Sequence, residues 1–284
     1  MASSPRNRSG LPCNRLDHCP LETRTCQQRS LRAVRGDAAL AAGATGEGVV
    51  ALVDSGVTSI TAQAERWIRP TSTTTSTLPV QRSATIVWWP VVAGTTSITE
   101  TGSPRGSCRN AMAMIVGIAP DARLMSLDAD QSCGASCFRA DDTAAAVRHA
   151  AANGADVINL SQGSSDLAGF PIASLVEATG QDVVIAAAAG NTGGSLIYPA
   201  AYAGDSRLGG KLVAVGSVSA DLTLAASSSR PATPEQAEFY LVAGTRCEVT
   251  TNTAGELQRV NGTSFATPLV SGAVKAVLKA RSLS

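Results

Sequence analysis

Five apolar runs of strand length constrain this chain more than any other feature: "GVVALVDSG" (48–56), "ARLMSLDA" (122–129), "DVINLSQG" (156–163), "DVVIAAAAGN" (182–191) and "KLVAVGSV" (211–218). None alternates strictly between apolar and polar residues, so each reads as a strand covered on both faces. Patterns of helical period lie between the later runs, at "RADDTAAAVRHAAANG" (139–154) and "FPIASLVEATG" (170–180). Strand alternating with helix predicts an α/β fold with a mostly parallel central sheet and helices on both faces. In such a sheet functional groups collect outside the carboxyl ends of the strands, where Asp54, Ser161 and Asn191 fall.

At 284 residues the chain can bury a substantial core. Its 23 Lys plus Arg against 22 Asp plus Glu leave no basic field that would point to a nucleic-acid partner. No apolar run reaches the roughly 18 to 20 residues of a membrane helix, and the first thirty residues show no apolar core of a secretory signal. Seven cysteines leave at least one thiol unpaired, and the spacing of Cys133 and Cys137 fits no strong zinc pattern, so no metal site is expected.

Residues 1–30 are polar and Arg-rich without periodicity and read as a flexible tail. Residues 31–284 read as the folded unit, opening with a short helix in "LRAVRGDAALAAG" (31–43). Inside it the composition changes at 58–106, where Thr and Ser dominate and all three tryptophans occur with no regular period. A structureless stretch this long is unusual in a compact domain.

Three distant segments carry the chemistry. "GEGVVALVDSGV" (46–57) ends a strand on Asp54, "VVIAAAAGNTGG" (183–194) ends one on Asn191, and "GTSFATPLVSG" (262–272) puts Ser264 at a helix start with Pro268 one turn in. Taken singly, Asp54 is an ordinary cap or loop anchor, Asn191 a turn residue and Ser264 an N-cap. Together, and in this order, they resemble the subtilisin-like serine proteases, with supporting matches at "GIAPDARL" (117–124), "NGADVINLSQG" (153–163) and "IYPAAY" (197–202).

The resemblance covers roughly residues 31–57 and 107–280. It implies the three-layer subtilisin-like fold and a serine endopeptidase acting on polypeptides, with Asp54 orienting a base, Ser264 as nucleophile and Asn191 as an oxyanion donor. It further implies that "LSQG", residues Leu160, Ser161, Gln162 and Gly163, is an edge strand that binds extended substrate by strand addition. Calcium is common in the family and secretion frequent, but no carboxylate cluster here maps onto a calcium site and the compartment stays open.

The family's base is a histidine followed by Gly and Thr or Ser. Here "SPRGSC" aligns Arg105 with it. A guanidinium keeps its proton and has no acceptor, so Arg105 cannot serve as that base, although it could pair with Asp54. His149 lies in a helix expected to pack away from the site, and His18 lies in the tail. Three readings follow: an endopeptidase with an unidentified base, a peptide-binding scaffold that does not cut, or a non-functional relic. The sharp ends of the block 58–106 admit either two compensating reading-frame changes or a divergent insertion.

Overall fold

The computed structural model describes residues 44, 46–54, 118–119, 121–130, 138–167, 170, 172–219, 221–244, 248–251 and 257–282. The expected tail at 1–30, the helix at 31–43, the block at 58–106 and all seven cysteines lie outside them.

The five apolar runs become β1 (Gly48–Asp54), β2 (Ala122–Asp128), β3 (Val157–Leu160), β4 (Val184–Ala188) and β5 (Leu212–Val218). A sixth strand that the sequence reading did not single out, β6 (Tyr240–Gly244), completes a sheet in the order β2-β1-β3-β4-β5-β6. Every neighbouring pair is parallel. Separately, β7 (Glu248–Thr251) and β8 (Leu257–Val260) pair antiparallel.

The expected helices are α1 (Ala140–Ala152) and α2 (Ala173–Gly180); short α3 (Pro234–Glu238) precedes β6, and α4 (Thr263–Ser282) follows β8. In α1, Asp141 and Asp142 occupy the first turn, where negative charge suits the positive end of the helix dipole. Thr233 caps α3 by accepting from the Gln236 N–H, and Pro234 fits the first position, where no intrahelical N–H is needed.

Side chains alternate across each strand, so the sheet feeds two cores. On one face Val49, Ala51, Val53, Ile158, Leu160, Ile185, Ala187, Leu212 and Ala214 pack with Val147 of α1 and Leu175 of α2. On the other, Val50, Leu52 and Val157 form one buried cluster, and Ala186 and Val215 form a second with Ala266, Leu269 and Val270 of α4. Double coverage explains the absence of polar alternation, and the arrangement is the expected α/β sheet with helices on both faces.

At 20 residues α4 is about 30 Å long and crosses the breadth of the sheet. Its far end is tied by Lys275, whose ammonium lies 3.1 Å from the Asp156 carboxylate and whose side chain is 6% exposed. That carboxylate also accepts from the Val49 N–H at 2.7 Å. The pair joins α4 to the ends of β1 and β3 away from the site.

Candidate functional site

β1, β3 and β4 end nearly level, since Val53 pairs with Leu160 and Leu160 with Ala187. Asp54 is therefore the last residue of β1, Ser161 the first beyond β3, and Asn191 lies three beyond β4. The Asp54 carbonyl accepts from the Ala129 N–H at 2.8 Å. In register with Asp54 stands Asp128, whose carboxyl is pushed above its ordinary pKa chiefly by burial. The Asp130 N–H, 3.1 Å from Asp128 Oδ1, opposes that rise, and the Asp130 charge adds to it.

Ser264 is held by a reciprocal pair of bonds. Its hydroxyl donates to the Ser161 carbonyl at 2.8 Å, and the Ser161 hydroxyl donates to the Ser264 carbonyl at 3.0 Å. The second bond has a cause one turn along. Pro268 has no N–H and cannot bond the carbonyl four residues back, which is that of Ser264. The proline that interrupts the helix ladder thus leaves a carbonyl free for Ser161.

From Ser161 a buried chain of hydrogen bonds runs down α4. Asn159 Nδ2 donates to Ser161 Oγ at 2.9 Å, and Asn159 Oδ1 accepts from Ser271 Oγ at 3.0 Å. Ser271 Oγ also lies 3.1 Å from the Thr267 carbonyl, and Thr267 Oγ1 donates to the Thr263 carbonyl at 2.7 Å. Each side-chain group in this chain of bonds finds a partner, which removes the cost of leaving it dry and unpaired.

Asn191 grips the start of α4. Its Oδ1 accepts from the Thr263 N–H at 2.9 Å and from Thr263 Oγ1 at 3.2 Å. A backbone N–H needs an acceptor, so these bonds set the amide orientation and, among the described residues, leave Nδ2 without an acceptor. Thr263 Oγ1 in turn accepts from the Gly190 N–H at 3.2 Å. The Phe265 and Ala266 N–H groups both turn back to the Gly262 carbonyl, at 3.0 and 3.3 Å. Among the described residues, that leaves the Ser264 N–H as the amide of the first turn without an acceptor, at the positive end of a long helix.

The expected site residues divide accordingly. Asp54, Ser161, Asn191 and Ser264 come to one edge of the sheet, and hydrogen bonds join Ser264 to Ser161 and Asn191 to the residue before Ser264. Arg105 and His18 lie outside the described residues. His149 sits in the last turn of α1, on the opposite face of the sheet from α4.

The expected edge strand at "LSQG" needs correction at its first residue. Leu160 ends β3, which is interior, flanked by β1 and β4, and its side chain is fully buried. Both of its hydrogen-bonding sides are taken by neighbouring strands. The edge can begin only past that strand end, over Ser161 to Gly163, and there one flank meets the next pairing, an antiparallel bridge of Ser164 with Tyr198. Gln162 in that segment is 8% exposed, and among the described residues neither polar atom of its carboxamide has a hydrogen-bond partner.

Asn159, Thr263, Thr267 and Ser271 were not singled out in the sequence. A signal was present: 263, 267 and 271 recur every four residues and so share one face of a helix that otherwise buries apolar groups. Among the described residues, no group of three His, Cys, Asp or Glu could hold a metal ion, and no helix is long and apolar enough to cross a membrane.

Comparison with known proteins agrees with this fold. Residues 91–282 match the model of the subtilase family, Peptidase_S8. Halolysin of Haloferax mediterranei is 38% identical over 145 residues, 50% of this chain and 26% of halolysin. Subtilisin DY of Bacillus licheniformis is 31% identical over 169 residues, 58% of this chain and 57% of that protein. The chain thus spans little more than half, or less, of these relatives. Among solved structures, the prenylagaramide maturation protease PagA aligns with a TM-score of 0.57 at 21% identity, covering 86% of this chain and 79% of that one. The S41 psychrophilic protease aligns at 0.62 and 24%, covering 84% and 79%. At such identities the likeness speaks for the fold.

Proposed function

The chain belongs to the subtilase family, and we propose that the carboxyl edge of its sheet is a serine endopeptidase site for extended polypeptides. Ser264 is the nucleophile. Its oxygen adds to the peptide carbonyl carbon, its proton passes to a base oriented by Asp54, and the carbonyl oxygen becomes an oxyanion. The Ser264 N–H and Asn191 Nδ2 stand as donors to that oxyanion, and the main chain of Ser161 to Gly163 is where the substrate lies. The observation that carries this reading is the convergence at Ser264. Reciprocal bonds to Ser161 and the Asn191 clamp on Thr263 bring three sequence-distant segments to one helix start.

A second reading has its own support. Arg105, at the aligned position of the base, cannot accept a proton, and the Ser264 hydroxyl now donates to a carbonyl, which cannot remove that proton. On this reading the same cleft holds extended peptide without cutting it.

Hydrolysis of an unstructured protein by the folded chain, beside a Ser264→Ala control, separates the two. Cleavage that disappears in the control establishes the endopeptidase. Peptide binding without cleavage in either protein establishes the scaffold. Neither binding nor cleavage by a cooperatively melting chain removes both.

A further inference from the structure

The crevice between the outgoing ends of β3 and β4 is already occupied by a side chain of the protein itself. Ile197 is docked from both sides. Its N–H donates to the Ala189 carbonyl at 3.1 Å, just beyond β4. The next residue, Tyr198, exchanges two backbone bonds with Ser164, each 2.8 Å, just beyond β3.

Its side chain fills the space between two glycines. A methyl group on Gly163 would stand 2.6 Å from Ile197 Cδ1 and 3.0 Å from Cγ1. A methyl on Gly190 would stand 3.1 Å from Cγ1 and from Cγ2. The same carbon, Cγ1, therefore lies against both segments, and neither position has room for a Cβ beside it.

Both glycines lie close along the chain to the residues that hold Ser264 and the start of its helix. Gly163 is two residues from Ser161, the hydrogen-bond partner of Ser264, and Gly190 adjoins Asn191, which holds the start of α4. Given the proposed reading, an extended peptide on Ser161 to Gly163 presents its carbonyl to Ser264 with the oxygen toward Asn191. The side chain of the residue that donates that carbonyl must then enter between the two segments, onto Ile197. Because isoleucine is branched at Cβ and its backbone is bonded on both sides, it cannot swing clear without breaking those contacts.

We propose that Ile197 determines specificity by filling this crevice, so that the residue donating the attacked carbonyl is glycine, alanine or serine and large side chains are rejected. The inference rests on the peptide-site reading above and narrows its substrate class.

The test uses two peptide boronic acids, identical except that one ends in the alanine analogue and the other in the phenylalanine analogue, titrated calorimetrically against the whole chain. Binding is read directly, so turnover is not required. One methylene in a fitted pocket is worth roughly 10- to 200-fold, so the alanine probe should bind at least about 100-fold more tightly. Ile197→Gly should bring the two within about tenfold or reverse them by that criterion. Ile197→Val, which keeps the branched Cβ and the docking bonds, should move part of the way and serves if the glycine variant does not fold.

Equal binding of both probes to the unaltered chain overturns the assignment of Ile197 while leaving the peptide site standing. Binding of neither probe to any of the proteins overturns the peptide-site reading and this inference with it.

Discussion

Val147 and Leu175 meet the sheet from one side through apolar contact, whereas Ser271 and Thr263 on α4 meet the other side through hydrogen bonds to Asn159 and Asn191. The strands are the same. Apolar contact is roughly proportional to area and has little directional preference, so it holds α1 and α2 in place with some tolerance for sliding. Hydrogen bonds weaken steeply with distance and angle, so the chain from Asn159 to Ser271 sets the register of α4 along its axis. On the proposed reading Ser264 must stand within about half an ångström of its working position, and the helix that carries it is the one pinned by polar contacts. The difference teaches that apolar packing on both faces supplies stability, while the polar contacts of one face add position.

The largest expected effect tests the dry face. Leu175→Ala deletes a fully buried side chain and should cost about 2–5 kcal/mol in urea unfolding. Boronate binding by the fraction that remains folded should hardly change. A loss of binding beyond that fraction would mean that the dry face also positions Ser264.

Asn159→Ala attacks the other face. It strips partners from the buried Ser161 and Ser271 hydroxyls, for an expected loss of about 1–3 kcal/mol. Here binding should weaken more than unfolding predicts, because Ser161 then orients Ser264 poorly. A variant whose midpoint falls while its boronate affinity holds would break the comparison.

The smallest effect has the opposite sign. Gln162 is an exception to satisfied polar groups beside the site, with both carboxamide atoms buried and without a partner among the described residues. Gln162→Leu keeps the approximate volume and removes the unmet donors and acceptor, so unfolding free energy should rise by about 1–2 kcal/mol. No gain in denaturant midpoint would show that the carboxamide already has its needs met in solution.

Much of the sheet was legible because buried parallel strands announce themselves as unbroken apolar runs, as at "VVALVD" and "VVIAAAA". β6 escaped because its five residues sit at the end of the sheet, with Leu241 49% exposed and Val242 43% exposed, and lack the flanking pattern of the others. Leu160 fell outside the edge expected at "LSQG" for a topological reason. Strand order places β3 between β1 and β4, and no local feature of four residues reveals strand order.

Sequence alone determined the α/β alternation, the family, and the placement of Asp54, Asn191 and Ser264 at element ends, because local period and motif order survive without knowledge of contacts. Tertiary structure alone decided that Pro268 frees the Ser264 carbonyl for Ser161, that a polar stripe registers α4 on Asn159, and that Ile197 lies between Gly163 and Gly190. Those relations join residues up to 112 positions apart that meet where three strands end and one helix begins. Separations of that kind are closed by packing, and a linear pattern carries no record of which distant groups packing brings together.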